Sequence, residues 1–469
     1  MLKLLNIATF VSILFMLFFF FSRGFTLTDE GFILHPAQRL LQGEKIYTDF
    51  WVVYTPLSIY ATALFFKLLG VSVLSGKILG AVLAIVSLIA IRKLSGLITP
   101  NPLIQTLVLL TYFAWAPAHI NFPSPTLFAL FFGILNCYFI LRLNRSHIIA
   151  AGFVTALAIL SKQNFGLATL VSTTIALFLF KSKKPLITYL IATAIPLFIY
   201  ATYLQLTGSL ADFQGVMSYY TQKIGLEHLA DTPWPSLIKL PLYVFPLTIS
   251  LAVLVLSPRL TILPLFILFT YLFTIRPVTD YVHLAPLLAI TGLPLATLFQ
   301  LSARLSIKIS SLALLLILAT TGTATAFFKS YYRWEPPLLQ HHYYLSLPQI
   351  RLFSSLNRFS EIPLLSSQIQ SLTTPDDYIY INYYSPLVYL LADRRNATRF
   401  EYVTSSMLPP HLQSEVIANL QAKSVRVVLT HRLNLADSPL SQYISSHYFP
   451  HSQIGDWTIN IASPTFSQN

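Results

Sequence analysis

Apolar residues fill the first 330 positions in blocks long enough to cross a bilayer, separated by short polar breaks. A hydrocarbon core about 30 Å thick takes about 20 helical residues, each adding about 1.5 Å. Runs of that kind lie at 4–22, 72–91, 102–118, 124–141, 147–161, 165–180, 185–204, 236–257, 260–275, 282–300 and 309–328, which predicts about eleven crossings. The first is too long for an ordinary signal core, and no small-x-small cleavage site follows Phe21-Ser22, so it reads as a retained anchor. The stretch 147–180 is expected to turn at Lys162-Gln163-Asn164. Tyr54 to Gly70 is apolar but short and amphipathic, with Lys67 near its end, and reads as a helix lying along the interface.

Past about residue 330 the pattern changes to short β-rich runs among charged and polar residues. Tyr378–Asn382 reads as a strand after the turn Thr374-Pro375-Asp376-Asp377, Pro386–Leu391 as helix, Leu412–Ala422 as an amphipathic helix and Val425–Leu429 as a buried strand. The expected fold is a multi-pass α-helical membrane protein with two parts. Residues 1–330 form the membrane domain, with 23–71 as its first outer loop, and 331–469 form a small soluble α/β domain.

Lysine and arginine set the orientation, because cytoplasmic loops hold the excess. With the N-terminus inside, eleven crossings put Lys3, Arg92, Lys93, Arg142, Arg145, Lys181, Lys183, Lys184, Arg259, Arg304 and Lys308 in the cytoplasm. None of those connections carries Asp or Glu; the acidic residues fall on the other side. The segments 23–71, 119–123, 162–164, 205–235, 276–281 and the C-terminal domain are therefore expected outside, with the chain integral to a plasma or inner membrane.

Composition supports the membrane assignment. Of 469 residues 55% are hydrophobic and only 10% charged, against roughly 25% in an ordinary soluble domain. A mean hydropathy of +0.66 excludes a disordered chain. The net charge of +13 is scattered in ones to threes, so it points to lipid headgroups or phosphates rather than nucleic acid. The lone Cys137 leaves no disulfide framework, and His341-His342 lacks further donors at metal-ligand spacing. No metal site is expected, although participation of a divalent cation stays open.

The first outer loop carries the most informative chemistry. It begins Thr26-Leu27-Thr28-Asp29-Glu30-Gly31 and continues through Asp49-Phe50-Trp51 to Tyr54-Thr55-Pro56-Leu57. Two adjacent carboxylates resist joint ionisation, which raises one pKa and suits a base. Adjacent side chains diverge on either a helix or a strand, so the two cannot share a task. Asp29 reads as the base and Glu30 as its orienting or substrate-holding neighbour; a solvated helix cap accounts for the pair as well. Lys162 and Arg276 lie at the same face as candidates for binding a phosphate, with Asp280 and His283 close to Arg276 in sequence. A cation reaching for water from a helix end is the plainer account of Lys162. His119 and Asn121 occupy another outer turn and could line the same cavity, although loop polarity explains them equally. Asn396-Ala397-Thr398 matches a glycosylation sequon. No phosphate-cradling Gly-rich loop, nucleophile elbow or zinc-protease helix motif is present, so the substrate must arrive already activated.

These residues resemble the glycosyltransferase C-type superfamily, in particular the protein O-mannosyltransferase, aminoarabinose transferase and dolichyl-phosphate-mannose transferase-like members. The resemblance rests on Asp29-Glu30-Gly31 after the first helix, Gln38-Arg39-Leu40-Leu41-Gln42-Gly43, Tyr47-Thr48-Asp49-Phe50 and Tyr54-Thr55-Pro56-Leu57. Phe66-Lys67-Leu68-Leu69-Gly70, Ser161-Lys162-Gln163 and Arg276 with Asp280 and His283 complete it. Where the family more often has His-Pro-Pro, this chain has Tyr54-Thr55-Pro56.

The resemblance implies an inverting transferase that uses a sugar on polyprenyl phosphate at the non-cytoplasmic face, with a glycan, lipid or protein acceptor. By that analogy Asp29 is the catalytic carboxylate; from the residues themselves, Lys162 and Arg276 are expected to hold the departing phosphate, and Asp49, Tyr54, His119, Asn121, Asp280 and His283 to line the pocket. A base works best with a pKa near 6–7, so Asp29 would have to rise from about 3.9. The rival readings are a transporter or flippase, which should place charges near helix centres, and a ligase for lipid-linked glycans. The outer domain is expected to position the acceptor.

Overall fold

The structure is a computed structural model that describes residues 2–180, 183–222, 239–257, 260–275, 281–328, 336–401, 408–433 and 438–463. Lys181, Arg259, Arg276 and Asp280 lie outside the described residues.

Eleven apolar helices coincide with the eleven apolar runs. They are α1 (Leu2–Phe21), α4 (Val73–Ile98), α5 (Pro102–Trp115), α6 (Pro125–Arg142), α7 (Arg145–Ser161), α8 (Gln163–Phe180), α9 (Lys183–Leu206), α11 (Leu240–Leu256), α12 (Ile262–Thr274), α13 (Tyr281–Leu301) and α14 (Leu305–Phe328). Five contain stretches long and apolar enough to cross a membrane: Val73–Ile98, Pro125–Arg142, Lys184–Leu206, Val282–Leu301 and Leu305–Phe328. Large apolar side chains face outward, Phe198 being 73% and Val255 81% exposed, as expected where the solvent is lipid. Three further helices, α2 (Gly31–Leu41), α3 (Leu57–Leu69) and α10 (Leu210–Tyr220), lie between the long ones.

Local sequence decides where several helices begin. Ser72 caps α4 through its hydroxyl, Asn101 and Ser124 cap α5 and α6 ahead of a proline in the first turn, and Asn144 caps α7. The stretch 147–180 does turn: Lys162 leaves the helical region at φ −152°, ψ 110°, separating α7 from α8. Polar side chains tie the bundle together. Buried Asn136 on α6 donates to Thr155 Oγ1 on α7 at 2.8 Å and accepts from Thr173 Oγ1 on α8 at 2.7 Å. The Tyr189 hydroxyl on α9 joins at Thr155, 3.0 Å away.

Helix α3 buries Ser58, Ile59, Thr62, Ala63 and Phe66 and exposes Leu64, Leu68 and Leu69; Ile59, Ala63 and Phe66 belong to the same core as Phe50 of the first loop and Leu387 of the C-terminal part.

The C-terminal part opens with an antiparallel hairpin, β1 (Tyr343–Leu347) and β2 (Ile350–Ser354), followed by α15 (Leu356–Leu372). A five-stranded sheet then forms in the order β4-β3-β5-β7-β6, from β3 (Tyr378–Asn382), β4 (Arg395–Asn396), β5 (Val427–His431), β6 (Tyr448–Ile454) and β7 (Trp457–Ala462). β3 runs parallel to β4 and β5, whereas β7 is antiparallel to β5 and β6. Helices α16 (Leu387–Ala392), α17 (Pro410–Ala422) and α18 (Pro439–His447) complete it. The chain is thus a helical membrane bundle carrying a small α/β unit.

That unit sits directly on the first loop. Leu387 N donates to Leu27 O at 3.1 Å, Trp51 N to Arg399 O at 2.8 Å, and Gly24 N to Phe353 O at 2.9 Å. Asn396 of the sequon is 1% exposed and donates to Phe400 O, so the folded chain does not present it for glycosylation.

Candidate functional site

Asp29 lies in the turn Leu27–Glu30 between α1 and α2 and remains partly exposed, while Glu30 beside it is fully buried. The turn closes on itself: Glu30 N donates to Thr26 Oγ1 at 3.0 Å, and Thr26 N returns a bond to Glu30 Oε2 at 3.4 Å. Lys77 in the first turns of α4 reaches the same carboxylate oxygen at 3.2 Å and donates to Asn121 Oδ1 at 2.9 Å. Asn121 then donates to the carbonyls of Phe20 and Arg23, at 2.7 and 2.8 Å, locking the last turn of α1. The pair is thereby tied to the turn, to the end of α1 and to the segment carrying Asn121. The two adjacent carboxylates therefore occupy different environments, one buried in an ion pair and one reachable.

Gly31 permits this arrangement. A Cβ there would stand 2.4 Å from Leu387 N and 3.0 Å from Pro386 Cγ, so only glycine lets the turn approach the sheet unit so closely.

Lys162, between α7 and α8, is 8% exposed. Its Nζ donates to Thr126 Oγ1 in the first turn of α6 at 2.8 Å and sits 5.5 Å above the Tyr54 ring and 5.3 Å from that of Phe165. Neighbouring bonds bind this corner to the first loop, with Thr55 Oγ1 donating to Ile159 O at 2.6 Å and Gln163 Nε2 to Val53 O at 3.0 Å. Lys162 and Tyr54 are thus in contact, as are Asn121 and the Glu30–Lys77 pair. His119 is buried, its ring 5.6 Å from that of Trp115. His283 is half-buried in the first turn of α13. Asp49 is exposed, and its carboxylate accepts from Lys45 N at 2.7 Å within its own turn.

Sequence reasoning missed a second buried cluster. Arg39 on α2 donates from Nη1 to Glu401 Oε1 at 2.6 Å and from Nε to Glu44 Oε2 at 2.7 Å, and His35 Nδ1 lies 2.6 Å from Glu401 Oε2. Burial alone would raise the Glu401 pKa, but the charges and hydrogen bonds of His35 and Arg39 outweigh it and hold the carboxyl below its ordinary value. Arg39 shows the complementary effect: burial opposes its charge, and Glu401 with Glu44 raises its pKa above the ordinary one. Arg39 lies in the segment Gln38-Arg39-Leu40-Leu41-Gln42-Gly43, but nothing local in the sequence announces a partner 362 residues away. Lys77 had a signal, being a lone cation at the start of an apolar run. Among the described residues no group of three or more His, Cys, Asp or Glu could hold a metal ion.

No family model matches this chain, and no curated protein matches it in sequence. Solved structures do match. ArnT from Cupriavidus metallidurans bound to undecaprenyl phosphate aligns over 98% of both chains with a TM-score of 0.63 at 11% identity. This chain has the ArnT fold. The apo state of ArnT gives a TM-score of 0.61 over 99% of both chains at 10% identity. The mycobacterial arabinofuranosyltransferase AftD aligns over 98% of this chain, which spans 40% of that larger one, at a TM-score of 0.50 and 11% identity. The fold shared with ArnT is the one expected from the resemblance carried by Asp29-Glu30-Gly31 and the loop that follows.

Proposed function

We propose that this chain is a glycosyltransferase that moves a sugar from a polyprenyl-phosphate donor to an acceptor hydroxyl, with inversion at the anomeric carbon and Asp29 as general base. The observation that carries the proposal is the split between the carboxylates. Glu30 is committed to Lys77 in a buried ion pair, whereas Asp29, on the same rigid turn, stays accessible. The undecaprenyl phosphate bound by ArnT supports a lipid-phosphate donor for a chain of the same fold.

In this reaction Asp29 takes the acceptor hydroxyl proton as its oxygen attacks the anomeric carbon. The bond from that carbon to the phosphate oxygen breaks on the opposite face, and the electron pair leaves on polyprenyl phosphate. Lys162 balances the charge that develops there, and Arg276, outside the described residues, is proposed to assist. The basic loops put the N-terminus in the cytoplasm, with Asp29 and residues 331–469 on the other side.

The test is Asp29→Asn in membranes supplied with radiolabelled polyprenyl-phosphate sugar. Transfer should be lost, by about 10² to 10⁴ if proton removal is the main contribution, while insertion and abundance stay unchanged. Normal transfer by the variant would remove Asp29 as the base.

A further inference from the structure

The sheet end nearest the first loop carries a group of rings that the proposed chemistry leaves unused. Tyr383, just after β3, stacks on His431, the last residue of β5, with centroids 4.2 Å apart and planes 9° from parallel. Tyr384 lies against Tyr383 at 4.6 Å, and Trp457 meets Tyr383 and His431 edge-on at 5.8 and 4.8 Å. Trp457 is buried, while Tyr383, Tyr384 and His431 remain partly open to solvent. Because β3 and β5 run parallel, the stack stands at their carboxyl ends, where open α/β sheets take ligands.

Charged groups stand near the rings. Arg358, in the first turn of α15, acts electrostatically on Tyr383 and His431, as does Asp456, whose carboxylate also pairs with Arg432 Nε at 2.8 Å. Burial lowers the His431 pKa; Asp456 works against this, and Arg358 and Arg432 with it, so the stacked imidazole is neutral near pH 7. The Ser355 hydroxyl, three residues before Arg358, is 6% exposed and has no hydrogen-bond partner among the described residues. The shelf adjoins the Asp29 turn through short connections. Leu387, four residues after Tyr383, bonds to Leu27 O, and Phe353, two before Ser355, bonds to Ser22 and Gly24.

Resting on the glycosyltransferase reading, we propose that this shelf binds the acceptor and that the acceptor is a carbohydrate chain. A sugar ring has a face of polarised C–H groups that suits the electron-rich face of an aromatic ring, and a rim of paired hydroxyls that suits a guanidinium and a carboxylate. Tyr384 and His431 offer the faces, and Arg358 and Asp456 the guanidinium and carboxylate. A lipid tail would need a continuous apolar trough, which these charged groups interrupt.

The full-length protein in nanodiscs, without any lipid-linked donor, is titrated with mannotetraose, arabinotetraose and maltotetraose, and with a serine-containing hexapeptide as control, by saturation-transfer NMR. At least one tetrasaccharide should bind, with transfer concentrated on its ring C–H protons. Tyr384→Ala or His431→Ala should weaken it about tenfold and Arg358→Gln several-fold, while Tyr384→Phe retains it. Variants are compared only where thermal unfolding matches the parent, and Tyr384→Phe controls for folding. The proposal is overturned if no tetrasaccharide binds, if the peptide binds better, or if the Tyr384→Ala/His431→Ala double variant binds like the parent. Asp29→Asn should leave this binding intact, so failure of the base assignment and failure of the shelf are read separately.

Discussion

The Lys77 ammonium lies 3.2 Å from the Glu30 carboxylate, and neither side chain is more than 1% exposed. Removing one partner of such a pair strands a buried charge, at a cost of about 3–5 kcal/mol, whereas removing both costs less. Lys77→Met should therefore lower thermal stability in detergent sharply, and Glu30→Gln combined with Lys77→Met should lose clearly less than the sum of the two single changes. Additive losses in that double-mutant cycle would show that the two groups are not coupled.

Gly31→Ala tests the contact behind Asp29. The new methyl would meet the Leu387 backbone, which cannot rotate away, so a loss of about 1–3 kcal/mol is expected together with reduced transfer. Unchanged melting would mean that the turn and the sheet unit do not pack this closely.

Much of the membrane bundle was legible because lipid imposes a simple rule: twenty apolar residues must run together, and polar residues collect between them. Lys162-Gln163-Asn164 marked the turn between α7 and α8 for that reason. The strand Tyr378–Asn382 was legible as well, lying between a turn signal and an apolar core. The hairpin β1–β2 and the pair β6–β7 were less so; β6 alternates weakly, contains Pro450 and is an edge strand paired only with β7 in its sheet. At the site, Asp29 and Glu30 stood out as adjacent acids at a boundary. Their different environments are set by Lys77 and Asn121, which are distant in sequence and brought in by folding. The partners His35, Arg39 and Glu401 were invisible for the same reason.

Acid should loosen the junction between the sheet unit and the first loop. Because the folded Glu401 pKa is depressed, its contribution to stability is complete above the unfolded carboxylate value of about 4.3 and is lost as the pH falls through the lower folded value. Melting temperature should thus drop on the acid side. Glu401→Gln should lower it at pH 7 and flatten that acid limb, and a variant with the parent's pH profile would show that another carboxylate is responsible.

Lys162→Met tests the phosphate assignment. A charge-assisted hydrogen bond contributes about 1.5–3 kcal/mol, so the apparent KM for the lipid-linked donor should rise about 10- to 100-fold. An unchanged donor KM would leave Lys162 as a purely architectural contact between α6, Tyr54 and Phe165.

Glu401, gripped from α2 by Arg39 and His35, and Trp51, bonded to the backbone of Arg399, fasten the α/β unit to the loop that bears Asp29. Such a cover cannot swing away without carrying the carboxylate with it.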